Sequence, residues 1–221
     1  MRSIVPTLVA CLIPVVLTAQ PGCSSTAIAI RESLGHPKRE QLVDRVGETR
    51  EAQEKAKDQF ASTLDELRSL SGREPGELEA AYKRLRDELE RSEDRAQRVR
   101  SRIDAVERVA TALFEEWRAE LDEYETESLR RASERQLDRT VASYEQVIGA
   151  MQRAESKMDP VLAAFSDQVL FLKHNLNARA IAALDETLVD LEREIEALIA
   201  DMERSIEEAD SFVRDMGAPD A

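Results

Sequence analysis

Few residues in this chain could do chemistry. It has two cysteines, Cys11 and Cys23, and two histidines, His36 and His174, set among 45 Asp and Glu. A thiolate can take a lipid, a disulfide partner or a metal. An imidazole can bind a metal or move a proton near neutral pH. The spacings needed for such work are missing. There is no HExxH, no CxxC, no glycine-rich phosphate loop and no nucleophile elbow. A di-iron bundle needs Glu-x-x-His pairs on facing helices, but Ser33 and Phe171 stand three residues before His36 and His174. The sequence therefore predicts a non-enzymatic protein with no catalytic residue, no metal and no cofactor.

Cys23 has a different setting. Arg2 opens the chain, an apolar run follows from Ile4 to Ala19, and Gly22 precedes Cys23. This is the layout of a secretory signal over residues 1–22. The run holds Pro6 and Pro14 and falls short of the roughly 20 residues a membrane-spanning helix needs. Two readings follow. In the favoured one the signal is cleaved before Cys23, which carries a lipid, and Ser24 directs the protein to the outer membrane from the periplasmic side. Gln20 and Pro21 fit a lipidation box poorly. "LVAC" (Leu8 to Cys11) fits it better but leaves too short an apolar core before it. In the other reading a signal peptidase cuts after Ala19 and the protein is soluble in the periplasm. Either way only Cys23 survives cleavage, so an internal disulfide is excluded.

The composition indicates what must position anything else. Charged residues make up 34% and aromatics 4%, with only 7 Gly and 7 Pro. Such chains form long helices rather than sheets. The formal net charge of −14 argues against a nucleic-acid partner, whose phosphates call for a basic surface.

The body is written in heptads. Leu78, Tyr82, Leu85, Leu89, Ser92, Ala96, Val99, Ile103, Val106, Ala110, Leu113 and Trp117 are spaced alternately by four and three. That is the seam of a coiled coil. An earlier seam runs Leu42, Val46, Thr49, Gln53, Ala56, Phe60, Thr63, Leu67 and Leu70. Between them, "SGREPGE" offers Gly72 to end one helix and Pro75 to begin the next. The two helices are expected to form an antiparallel hairpin.

Beyond Trp117 the phase slips. Either the helix ends, with Thr126 or Ser128 as the next N-cap, or a stutter bends it. Another register carries Leu137, Val141, Tyr144, Ile148 and Met151, and Asp159-Pro160 marks a cap or a kink. A last seam runs from Leu184 through Leu188, Leu191, Ile195, Leu198, Met202, Ile206, Ala209 and Val213 to Met216.

Charge is unevenly spread. Residues 185–215 hold twelve acids against three Arg, whereas "RAQRVRSR" (95–102) holds four Arg and no acid. "LRRASERQLDR" (129–139) holds four Arg and two acids. These are either solvated faces or an acidic last helix lying beside basic stretches.

One segment breaks the pattern: "VLFLKHNLNARAI" (169–181). With residues 161–184 wound as one helix at about 100° per residue, Val161, Leu162, Phe165, Val169, Leu172 and Leu176 share a core stripe. Leu170, His174 and Ile181 fall nearly opposite, flanked by Phe171 and Asn177. This second face either packs inside the protein's own bundle, with His174 and Asn177 fixing register, or docks another protein.

Several stretches resemble an uncharacterised bacterial lipoprotein family, domain of unknown function 2959: "KREQLVDRV", "EAQEKAKDQF", "LFEEWRAELDEY", "SLRRASERQL" and "KMDPVLAAFSDQVLFLKHNLNARAIAALDETL". The resemblance spans about residues 37 to 215. It implies an exported helical protein with an N-terminal cysteine and supplies no catalytic residue or ligand. The expected organisation is a signal peptide (1–22), a flexible tether (23–38), one all-α domain built as an elongated antiparallel helical bundle or coiled coil (39–216), and a disordered tail (217–221). The expected function is a structural or protein-interaction module of the cell envelope, joined to a membrane by its lipid and to a protein partner or a second copy through its helices. The alternative is a helical carrier or chaperone holding an apolar ligand or client between its helices.

Overall fold

The structure, a computed structural model, describes residues 27–29, 31, 32, 35, 37–70, 75–175 and 178–217; the side chains of Pro75 and of 178–187 lie outside that description. The described residues form five helices: α1 Lys38–Arg68, α2 Leu78–Glu120, α3 Glu127–Ser156, α4 Met158–His174 and α5 Ala178–Gly217. At roughly 1.5 Å per residue, the 43 residues of α2 measure about 65 Å.

The heptad seams become the core. All nine positions of the first seam, eight on α1 and Leu70 just beyond it, are buried, the polar Thr49, Gln53 and Thr63 included. On α2 the seam is buried from Leu85 to Leu113, and Tyr82 and Trp117 are partly covered. On α5 it is buried from Leu188 to Ala209, joined by Phe212. Leu184 lies outside the described side chains.

Inter-helix pairs fix the directions. Lys38 meets Glu116, Arg102 meets Glu48 and Arg84 meets Glu66, so α1 and α2 run antiparallel. Pro75 starts a short 3-10 turn between them; Gly72 lies outside the described residues. Arg39 donates to the Met216 carbonyl, Arg50 faces Asp210 and Arg68 faces Glu192, so α1 and α5 are antiparallel as well. Trp117 pairs with Ser133, Gln152 with Glu107 and Arg100 with Glu155, which sets α3 and its continuation antiparallel to α2. Gln146 reaches Glu208 and Lys157 reaches Asp201 on α5.

The result is an up-down-up-down bundle with four corners: α1, α2, the α3–α4 pair, and α5. Neighbouring corners pack closely, and the diagonals α1 against α3–α4 and α2 against α5 do not. Short connections between successive antiparallel helices produce this topology.

Both open breaks resolve. After Glu120 a 3-10 turn covers Leu121–Glu123, Tyr124 and Thr126 are extended, and the amides of Leu129 and Arg130 bond to the Thr126 carbonyl. The helix ends and the chain turns back. At 157–160 it does not. Lys157 keeps a right-handed helical backbone (φ −85°, ψ −14°), and α3 and α4 continue along the same two neighbours, α2 and α5. Pro160 has no N–H to donate to the preceding turn, so this is a kink. Asp159 caps nothing and pairs with Arg100 instead.

Acidic α5 does not lie beside the basic stretch of α2, because the two helices occupy opposite corners. Arg50 and Arg68 of α1 and Lys157 after α3 meet its acids. Within 95–102, Arg100 and Arg102 pair with Glu155 and Glu48. Arg130 and Arg131 pair with Glu127 on their own helix.

Candidate interaction face

The bundle has two unlike ends. At one, α1 begins, α5 finishes and the residues before α1 attach. Ala27–Ala29 and Arg31–Glu32 are helical there, and Ile28 packs against the core while its carbonyl accepts from Gln41. Lys38 holds both Glu32, at 2.5 Å, and Glu116, at 2.9 Å. Burial alone would lower the Lys38 pKa, but these two carboxylates outweigh it and hold the ammonium above its ordinary range. The tip of the α2/α3 hairpin projects past the start of α1 and exposes Tyr124 and Leu129.

At the far end lies the segment that breaks the heptads. Val169 and Leu172 are buried on the core side of α4. Leu170 is 55% exposed, Phe171 38%, and His174 is exposed with them. The interior-packing expectation therefore fails for these three residues, which are exposed rather than buried between helices.

The expectation of one continuous helix over 161–184 also fails. α4 stops at His174; Asn175 leaves helical geometry (φ −133°, ψ 64°), and α5 starts at Ala178. The Asn175 side chain donates to the Phe171 carbonyl at 3.0 Å, satisfying an acceptor the helix end would leave open. Leu170, Phe171 and His174 thus share one helix end. Ile181 belongs to the next helix, and its side chain and Asn177 lie outside the described residues. Val189, 59% exposed, lies on α5 toward the same end of the bundle, three residues from Glu192, which meets Arg68 at the end of α1. The sequence reading missed Val189. It sits one position outside the seam residue Leu188, which was the available signal.

A second distinctive feature lies in the middle of the bundle. Gln53 is fully buried, and its Oε1 accepts from the Ser205 hydroxyl at 2.9 Å. Its Nε2 has no partner among protein atoms. Ala56, Ala96, Ala154 and Ala209 are buried small residues, one on each of the four corners. Close by, Asp201 accepts from Lys157 and Arg204. Burial pushes its pKa up, but the two cations more than offset this and keep the carboxyl below the usual range. Tyr144 lies edge-on to Phe114, ring centres 5.4 Å apart, and burial with Glu107 and Glu145 nearby pushes its phenol up to about 12. It therefore stays protonated across physiological pH.

Among the described residues no group of three His, Cys, Asp or Glu side chains could hold a metal, and no helix is long and apolar enough to cross a membrane. The molecule is a four-cornered up-down helical bundle with exposed apolar residues, Leu170, Phe171 and Val189, toward one end. Its family follows from comparison. The chain belongs to the family described as Protein of unknown function (DUF2959), whose model matches residues 28–216. No curated protein matches it.

Proposed function

We propose that the protein is a non-enzymatic envelope lipoprotein, acylated at Cys23 and held on the periplasmic side of the outer membrane, which presents the far end of its bundle to a protein partner. The observation that carries this reading is the separation of the two ends. The chain from Cys23 joins the bundle beside Lys38, while Leu170, Phe171 and Val189 are exposed at the opposite end. The 31 residues of α1 alone put about 46 Å between those levels. A lipid at Cys23 would hold the rod by one end and leave the apolar end free.

Crosslinking in cells tests it. A photoreactive residue at Leu170 and another at Val189 should each capture the same discrete protein, and Phe171→Ser should abolish both products. Intrachain products alone would rule out a docking face. Labelled palmitate incorporation should disappear in Cys23→Ser; unchanged labelling would falsify acylation at that residue.

A further inference from the structure

The seam between α1 and α2 is edged by a charge ladder with one wrong rung. Arg84 pairs with Glu66 at 2.8 Å near the far end, and Arg102 pairs with Glu48 near the other. The same antiparallel register sets Lys55 opposite Arg95, two cations where the neighbouring rungs have an arginine and a glutamate. It also sets Arg98 opposite Ala52. These residues line an open groove of about 420 Å³.

Little in the chain neutralises them. Among the described residues neither Arg95 nor Arg98 has a hydrogen-bond or ion-pair partner. Glu48 is already shared by Arg45 and Arg102. Glu51 stands 3.8 Å from Lys55, a loose contact on an exposed helix face. The protein carries 45 acids against 31 basic residues, yet it gathers three cations in one concave stretch. Like charges facing each other destabilise a helix pair. An anion seated between them removes that cost. Guanidinium groups grip carboxylate and phosphate oxygens in pairs, and the lysine adds a point charge.

We propose that the α1/α2 groove at Lys55, Arg95 and Arg98 binds a compact, multiply charged oxyanion. The ligand class is a phosphate or a polycarboxylate. The site stands apart from the apolar end and does not depend on it. Because the molecule as a whole repels anions, binding rests on these three groups and weakens as salt screens them.

Inorganic pyrophosphate and citrate are the probes, titrated calorimetrically into the purified chain at constant ionic strength, with thermal unfolding followed in parallel. One-to-one binding of either anion is expected, with a rise in Tm beyond that given by sodium chloride of equal ionic strength. Which anion binds assigns the class. The decisive variant is Lys55→Glu, which completes the ladder opposite Arg95. It should unfold at a higher temperature than the parent without any anion and bind the probe at least about tenfold more weakly. Arg95→Gln with Arg98→Gln should lose binding as well, and Arg139→Gln, which bonds to Gln136 on its own helix away from the groove, should keep it. Equal stabilisation by sodium chloride, or unchanged binding by Lys55→Glu, overturns the proposal.

Discussion

Replacing Gln53 with methionine should make the protein more stable, although it removes a buried hydrogen bond. Gln53 is fully enclosed and makes one hydrogen bond, from the Ser205 hydroxyl to Oε1, while Nε2 has none. Flipping the amide does not help, because Oε1 would then be the orphan. A buried donor without a partner costs about 1–3 kcal/mol, and the neutral bond that would be lost contributes about 0.5–1.5 kcal/mol. Ser205 need not be stranded: on a helix its hydroxyl can turn back to the carbonyl four residues earlier, at Asp201. Methionine keeps the unbranched length of glutamine and fills the same space with apolar atoms. The net gain should be about 1–2 kcal/mol. For a chain of this size that corresponds to a rise in Tm of roughly 2–8 °C.

Urea unfolding measures the effect, with an unchanged m-value showing that the unfolded state is the same. Ser205→Ala gives the control. In the parent it leaves both ends of the Gln53 amide unpartnered and should cost about 1–3 kcal/mol. With methionine at position 53 the cost should shrink toward zero. A loss of about 1 kcal/mol or more in Gln53→Met would refute the reasoning, and would mean that water satisfies the amide and that the polar layer stabilises the bundle.

Gly47 lies in the interior of α1 with open space where a Cβ would go, so Gly47→Ala should stabilise by about 0.5–1 kcal/mol in the same urea assay. Phe165 is fully buried, and Phe165→Ala should cost about 3–5 kcal/mol. Leu170→Ser and Phe171→Ser, on the uncovered side of the same helix, should each change stability by about 1 kcal/mol or less; a core-sized loss would mean that this side is covered. Asp201 titrates below its unfolded range, so at pH values between the two the unfolded chain binds more protons and stability rises with pH. Its contribution is therefore complete above the ordinary aspartate range and is lost as pH falls through and below it. Asp201→Asn should flatten the pH dependence of the urea midpoint in that window. An unchanged slope would show that Lys157 and Arg204 do not hold the carboxylate.

Spacing made the bundle legible, because a seam repeating every seven residues leaves a helix little choice of face. This held even for Thr49, Gln53 and Thr63, polar residues that are buried because their neighbours in the repeat are. The stop at Asn175 was not legible. It has neither Gly nor Pro, and a wheel drawn through it merged two helices into one. The ionic partners of α5 were equally hidden, since charge composition does not say which corner a helix takes. Arg50 and Arg68 meet its acids because α1 is adjacent and the arginine-rich part of α2 is diagonal. For the candidate face, the odd composition of 169–174 marked the right helix end, but whether Leu170 and Phe171 were covered depended on how many neighbours α4 has.

An even number of corners brings the start of α1 and the finish of α5 together, with Arg39 on the carbonyl of Met216. A fluorescent protein fused after Gly217 would therefore crowd the end where the chain enters, while the same reporter inserted between Leu70 and Pro75 would stand at the other extremity of the rod. The chain could also be recut: a short linker from Gly217 to Lys38, with new termini opened between Leu70 and Pro75, would keep all four corners in place and reverse which extremity a terminal lipid could hold.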